Sequence, residues 1–229
     1  MTDAPSPPAD IARLLPLMLA LAFTTGLVDA VSVLGLGKVF TANMTGNVVF
    51  LGLALAGAQG FVPSLYVTAL AAFLSGAVAA GRIGRRGREL PIARWLTWSA
   101  GFEAVLLWAA ALVAIEFGGA HEAAGLSLYT IIILTGIAMG FRNATIRQLH
   151  IPDVTTTVLT LTLTGLAADS SIAGGGNPNW GRRGASVAAL FAGAGIGALL
   201  VLGPGLAPAL LLAGAIVVIA TLLCAWQRH

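Results

Sequence analysis

The side chains of this chain that could do chemistry are a few carboxylates, amides and hydroxyls set inside or beside long apolar runs. Asp29 is the first of them. A charged carboxylate at the centre of a bilayer costs about 2.5–3.5 kcal/mol on insertion scales. On a helix Asp29 shares a face with Ala22, Thr25, Gly26 and Ser32. That stripe is small and polar, and it suits contact with protein or water, not lipid. Two uses fit it: a proton- or cation-binding carboxylate, or a structural acceptor for irregular backbone near Gly35.

The next apolar segment opens with Thr41-Ala42-Asn43-Met44-Thr45-Gly46-Asn47. Thr41 and Thr45 are four apart, as are Asn43 and Asn47, so a helix puts each pair on one face. Buried amides and hydroxyls need partners. They can coordinate a polar solute or ion, or bond neighbouring helices. The second half answers with Asp153, Thr155, Thr156 and Thr157, then Thr160, Thr162, Thr164 and Asp169. Thr156, Thr160 and Thr164 fall on one helical face. Threonine can also bond back to its own helix, which explains any single hydroxyl better than it explains the flanked cluster. Arg142 or Arg147 could pair with Asp153 across the short connection between them. Asn143 lies in the preceding segment, Glu103 is a second interior carboxylate, and Glu116 sits near a segment end.

His121 and His150 have no partner at metal-ligand spacing, and Cys224 is the single cysteine. No phosphate loop or nucleophile–base set is visible. The expectation is therefore a protein that is not an enzyme, with no catalytic residue, metal site or cofactor. The candidate ligand-binding residues are Asp29, Thr41, Asn43, Thr45, Asn47, Asn143, Asp153, Thr156, Thr160, Thr164 and Asp169.

The elements that must position these residues are membrane helices. The chain is 58% hydrophobic and only 9% charged, whereas a soluble domain carries roughly a quarter charged residues. Too few charges exist to cover a soluble surface, and they cluster: Arg82, Arg85, Arg86, Arg88, Glu89 and Arg94 lie close together. Elsewhere the runs match the roughly 20 apolar residues that cross about 30 Å of hydrocarbon. The net charge of +3 sits in short connections, as expected for helices pinned at a membrane surface, and does not suggest a nucleic-acid partner.

Residues 1–13 read as a disordered tail. Eight apolar segments follow, at 14–36, 42–59, 62–83 and 92–116, then 127–149, 155–172, 185–203 and 206–226. A shift of 114 residues lays Gly26 on Gly140, Asp29-Ala30 on Asn143-Ala144 and Thr41 on Thr155. With a small insertion, Gly76 matches Gly193. This predicts two related units, 14–116 and 127–226.

The positive-inside rule then bears on topology. If all eight segments cross and the Arg82–Arg94 cluster is cytoplasmic, Arg13, Arg182, Arg183 and Arg228 fall outside. If the two polar segments at 42–59 and 155–172 do not cross, six crossings remain and only Lys38 falls outside. Each half then has three crossings, which inverts the second half relative to the first. Inverted repeats are a common transporter plan, with the site at the repeat interface on irregular segments. The predicted fold is thus an all-α transmembrane helix bundle. It has six crossings, two short or re-entrant polar segments and an inverted 3+3 repeat; eight crossings is the alternative.

The blocks Asp29-Ala30, Phe40 to Asn47, Asn143-Ala144, Asp153 to Thr160 and Gly165 to Ser170 resemble the YoaK-type family of bacterial membrane proteins. That family is described as a domain of unknown function. The resemblance covers nearly the whole chain after the tail and implies a six-helical protein of the bacterial inner membrane, but no activity. Together the readings predict a multi-pass protein of the lipid bilayer with its N-terminus in the cytoplasm. Its expected role is a transporter or channel for a small polar solute or ion; the alternative is a non-transporting scaffold or regulatory partner. A homo-oligomer is compatible with either.

Overall fold

A computed structural model describes residues 9–86, 91–117, 124–148 and 159–226. Every regular element among them is helical: α1 (Ala9–Gly35), α2 (Met44–Leu55), α3 (Pro63–Arg86), α4 (Ile92–Phe117), α5 (Ala124–Gln148), α6 (Leu159–Ala168), α7 (Trp180–Leu202) and α8 (Leu206–Trp226), with one 3₁₀ turn at Ser171–Ala173. α1 thus begins at Ala9, inside the stretch expected to be a tail, and residues 1–8 lie outside the described residues.

Six helices are long and apolar enough to cross a bilayer. The shortest, α8, has 21 residues, which at 1.5 Å per residue is about 31 Å. α2 has 12 residues and α6 has 10, about 18 and 15 Å, too short for the hydrocarbon core. Large apolar side chains such as Leu112, Phe191, Leu199 and Leu202 are exposed on the bundle's outside. In water this would be an aggregation-prone surface; in a bilayer it is the lipid-facing one.

The contacts fix the direction of each helix. α1 and α7 run the same way: Gly193 packs against Phe23, and Gly197 against Leu27 and Ala30. α3 and α5 also run together, with Gly76 against Ile137, Gly140 against Phe73 and Gly84 beside Gln148. α4 is antiparallel to α5, because Glu103 meets Arg142 while Ser99 meets Thr145. α8 is antiparallel to α1: Gly35 touches Leu206, and a groove at the other end is lined by Leu17, Ile216 and Cys224.

The chain enters and leaves α2 at the same end of the bundle. α1 stops at the Gly37–Lys38 turn, where both residues have positive φ (79° and 63°). There Gly37 lies against Leu65 at the start of α3, and Lys38 Nζ sits 5.4 Å from the ring centre of Phe61. The six long helices therefore alternate in direction while α2 and α6 make no net crossing. This is the six-crossing plan, not the eight-crossing alternative.

Close helix approach rests on glycine. A Cβ on Gly26 would run into the backbone of Leu190, and one on Gly140 into the backbone of Phe73. Small residues at such contacts let membrane helices gain dispersion energy over a long seam, where no hydrophobic force joins them.

Candidate functional site

The expected stripe on α1 is buried: Ala22, Thr25, Asp29 and Ser32 are all at most 9% exposed. Asp29 faces the segment between α1 and α2. Its Oδ2 accepts a hydrogen bond of 2.5 Å from Asn43 Nδ2. The Ala42 backbone amide faces the same carboxyl, and Arg142 of α5 lies within electrostatic reach. Oδ1 is buried and makes no hydrogen bond of ordinary geometry.

Residues 36–43 leave helical geometry, so their backbone groups need other partners. Asn47 supplies them for Phe40. Its Oδ1 accepts from the Phe40 amide at 2.9 Å and its Nδ2 donates to the Phe40 carbonyl at 2.5 Å. Gly46 allows the Phe40 ring to lie on the first turn of α2. Asn47 and Thr41 are fully buried, while Thr45 is exposed. Thr41 Oγ1 is buried without a hydrogen-bond partner. In this block Asn47 therefore holds backbone, Asn43 orients Asp29, and Thr45 faces outward.

The second half is arranged differently. Asp153 and Thr156 lie outside the described residues. Thr160 and Thr164 are exposed on α6, and no hydrogen bond among the described residues joins them to Asp29 or Asn43. Asp169 pairs with Arg183 of α7 at 2.6 Å and is half-exposed. Asn143, half-buried, donates to the Met139 carbonyl of its own helix at 2.8 Å. The structure thus brings Asp29, Asn43 and the Thr41 loop together, and leaves Thr45, Thr160, Thr164 and Asp169 outside that cluster.

The suggested pairing of Arg142 or Arg147 with Asp153 lies outside the described residues at its Asp153 end, but the structure shows where Arg142 goes. Arg142 is fixed to Glu103 of α4 through both carboxylate oxygens, with Nε donating to Oε2 at 2.9 Å and Nη2 to Oε1. Its Nη1 donates to the Leu21 carbonyl and Thr25 Oγ1, both at 3.1 Å. Arg142 and Glu103 are each 2% exposed. Two-point contact with a carboxylate is a guanidinium's strongest mode, and antiparallel packing of α4 on α5 puts the partner on the neighbouring helix. Beside the pair is a cavity of about 20 Å³ bordered by Ser99, Thr145 and Thr221. That is room for about one water.

The available signal for this pair was two opposite charges buried in separate apolar segments. Each charge is expensive alone in the hydrocarbon interior, and pairing reduces that cost. The pair bridges the first half of the chain, through α1 and α4, to the second half, through α5. Its arginine also lies near Asp29, so the buried charges form one group across the bundle.

The profile of a family described as "Protein of unknown function (DUF1275)" matches residues 17–223. The chain is 34% identical over 155 residues to UPF0700 transmembrane protein YoaK of Bacillus subtilis (strain 168). That alignment covers 68% of this chain and 66% of the relative's own length. No solved structure matches. With the profile spanning nearly the whole bundle, and six helices fit to cross a bilayer, the chain belongs to the YoaK/DUF1275 family of multi-pass membrane proteins.

Proposed function

We propose that the protein is a transporter or channel for a small polar solute or ion, working at the contact between two inverted halves. The observation that carries this reading is Asp29. It is a buried carboxylate in a membrane helix, oriented by Asn43 of a non-crossing segment and within electrostatic reach of Arg142 of the other half. Sites of this kind in transporters are built from irregular segments near the repeat interface.

Paired contacts support the inverted repeat. Displacement by 114 carries Gly26 to Gly140 and Phe23 to Ile137; displacement by 117 carries Gly76 to Gly193 and Phe73 to Leu190. The contact of Gly26 with Leu190 then maps onto that of Gly140 with Phe73. The contact of Gly193 with Phe23 likewise maps onto that of Gly76 with Ile137. One pair of offsets thus relates both close approaches. Arg82, Arg85, Arg94, Arg147, Arg182 and Arg183 gather at the end where α1 starts, while Lys38 and Glu116 lie at the other. This supports an N-terminus in the cytoplasm, and a cell inner membrane as the setting.

The test is flux. Purified protein in liposomes is expected to pass some member of a broad panel of ions and polar solutes faster than empty liposomes do, and Asp29→Asn is expected to abolish that flux. A panel with no excess flux, together with an Asp29→Asn variant indistinguishable from wild type, overturns the reading. The second reading is a non-transporting membrane partner. It is favoured by Asn47, whose side chain is spent on backbone, and by Asp169, spent on Arg183. On that reading Asn43→Ala would lower stability in detergent and would change no flux.

A further inference from the structure

Resting on the transporter reading, we infer that Asp29 and Thr41 bind a monovalent metal cation, the ion that this protein moves or is driven by. The first support is charge. Among the described residues, the charged side chains buried inside the bundle are Asp29, Glu103 and Arg142. Arg142 holds Glu103 through both carboxylate oxygens, so with Asp29 ionised the group carries one net negative charge, centred on Asp29. Among the described residues no other charged group faces Asp29 closely. The charged residues of α7, Arg182 and Arg183, lie in its first turn at the far end, and α8 has none in its described length. α3 brings Tyr66, and the loop brings Lys38, whose Nζ lies on Phe61. A single positive charge balances the group, whereas a divalent ion would leave it as unbalanced as before.

The second support is oxygen chemistry. Among the described residues, three buried side-chain oxygens lack hydrogen-bond partners: Asp29 Oδ1, Thr41 Oγ1 and Tyr66 OH. All three belong to side chains around one loop. Asp29 contacts Ala42 and Asn43, Thr41 directly precedes Ala42, and Tyr66 packs on Phe50 beside Phe40. Native proteins seldom leave such oxygens unpaired, and several around one loop are what a bound water or ion would satisfy. The end of α1 adds carbonyls with no helical partner. A proton would neutralise Asp29 but leave the Thr41 hydroxyl dry and unpaired. A metal cation satisfies both oxygens at once, as hard oxygen ligands suit a hard cation.

The experiment is thermal unfolding of the full chain in detergent at fixed pH and ionic strength. Sodium, lithium or potassium chloride would be titrated against choline chloride. One alkali cation is expected to raise the unfolding temperature saturably, since a ligand that binds the folded state alone stabilises it. The effect should vanish in Asp29→Asn and need at least tenfold more ion in Thr41→Val. It should persist in Gly181→Ala, which adds a methyl in open space. If Asp29→Asn does not fold, equilibrium dialysis of the wild-type chain with a radioactive alkali ion decides, with about one ion per chain expected. Choline matching every alkali salt, an ion effect retained in Asp29→Asn, or no ion bound in dialysis would each overturn the inference. Absence of flux alongside an intact ion effect would remove the transport reading and leave the ion site standing.

Discussion

The Arg142–Glu103 pair gives the sharpest test of the bundle's energetics. Both side chains are 2% exposed, so cutting Glu103 back to alanine leaves a buried guanidinium without its hydrogen-bonded carboxylate. Breaking a buried pair from one side costs about 3–5 kcal/mol, or about 150- to 5,000-fold in the unfolding equilibrium. Arg142→Ala should cost a similar amount. The Leu21 carbonyl would stay satisfied in that variant, because Thr24 Oγ1 and Thr25 Oγ1 also donate to it, at 3.0 and 2.8 Å. Replacing both partners with apolar groups, Glu103→Leu with Arg142→Met, removes the charges together. Such replacements are often neutral or stabilising, though here the bond from Arg142 to Thr25 is lost, worth about 1 kcal/mol. The double variant should therefore lie within about 1–2 kcal/mol of wild type. Reversible unfolding in mixed micelles, with Glu103→Leu and Arg142→Met also measured singly to close the double-mutant cycle, measures this directly. Single effects that simply add, with a coupling below about 0.5 kcal/mol, would refute the reasoning and mean that the pair is solvated or not formed.

Three further outcomes follow from the same contacts. Asn47→Ala removes both partners of the Phe40 backbone and should cost about 2–6 kcal/mol, at about 1–3 kcal/mol for each buried group left unpaired; chemical unfolding in detergent would read it. Gly26→Val and Gly140→Val put side chains into the Leu190 and Phe73 backbones. Both should abolish folded protein on size exclusion, while Gly181→Ala behaves as wild type. Asp169→Ala breaks a half-exposed pair with Arg183 and should shift stability by at most about 1 kcal/mol, an effect that added salt reduces.

How far the site was legible in the sequence depended on what each residue demands locally. Asp29 could be found because a carboxylate in an apolar run is costly wherever it sits. Its α1 stripe was legible because Ala22, Thr25, Gly26 and Ser32 repeat at helical spacing. Six crossings could be found because arginines sort by membrane side. The role of Asn47 was not legible: four-residue spacing placed it on a helix face with Asn43, yet its side chain turns back to the irregular backbone at Phe40. Nor could the partner of Arg142 be read, since it depends on how α4 and α5 slide past one another. The threonines of α6 matched a lining stripe by period. Period alone does not say which face meets α7, and in the structure Gly165 approaches Arg183 while Thr160 and Thr164 face outward.

The proposed repeat also accounts for why only one half carries the carboxylate. At a displacement of 114, Asp29 corresponds to Asn143 and Val28 to Arg142. The second half thus has an amide where the first has a charge, and its own charge one position earlier. That single step turns the side chain by about 100° around the helix. Arg142 points to Glu103 and Thr25, while Asn143 bonds back to its own helix at Met139. Two carboxylates at equivalent positions near a shared interface would repel each other in a medium that screens poorly. One carboxylate opposite an already paired arginine keeps the net charge of the buried group at a single negative unit. On the proposed repeat, an asymmetric charge at the shared interface suits the proposed binding of one small cation, and a helix-packing role alone gives no reason for that asymmetry.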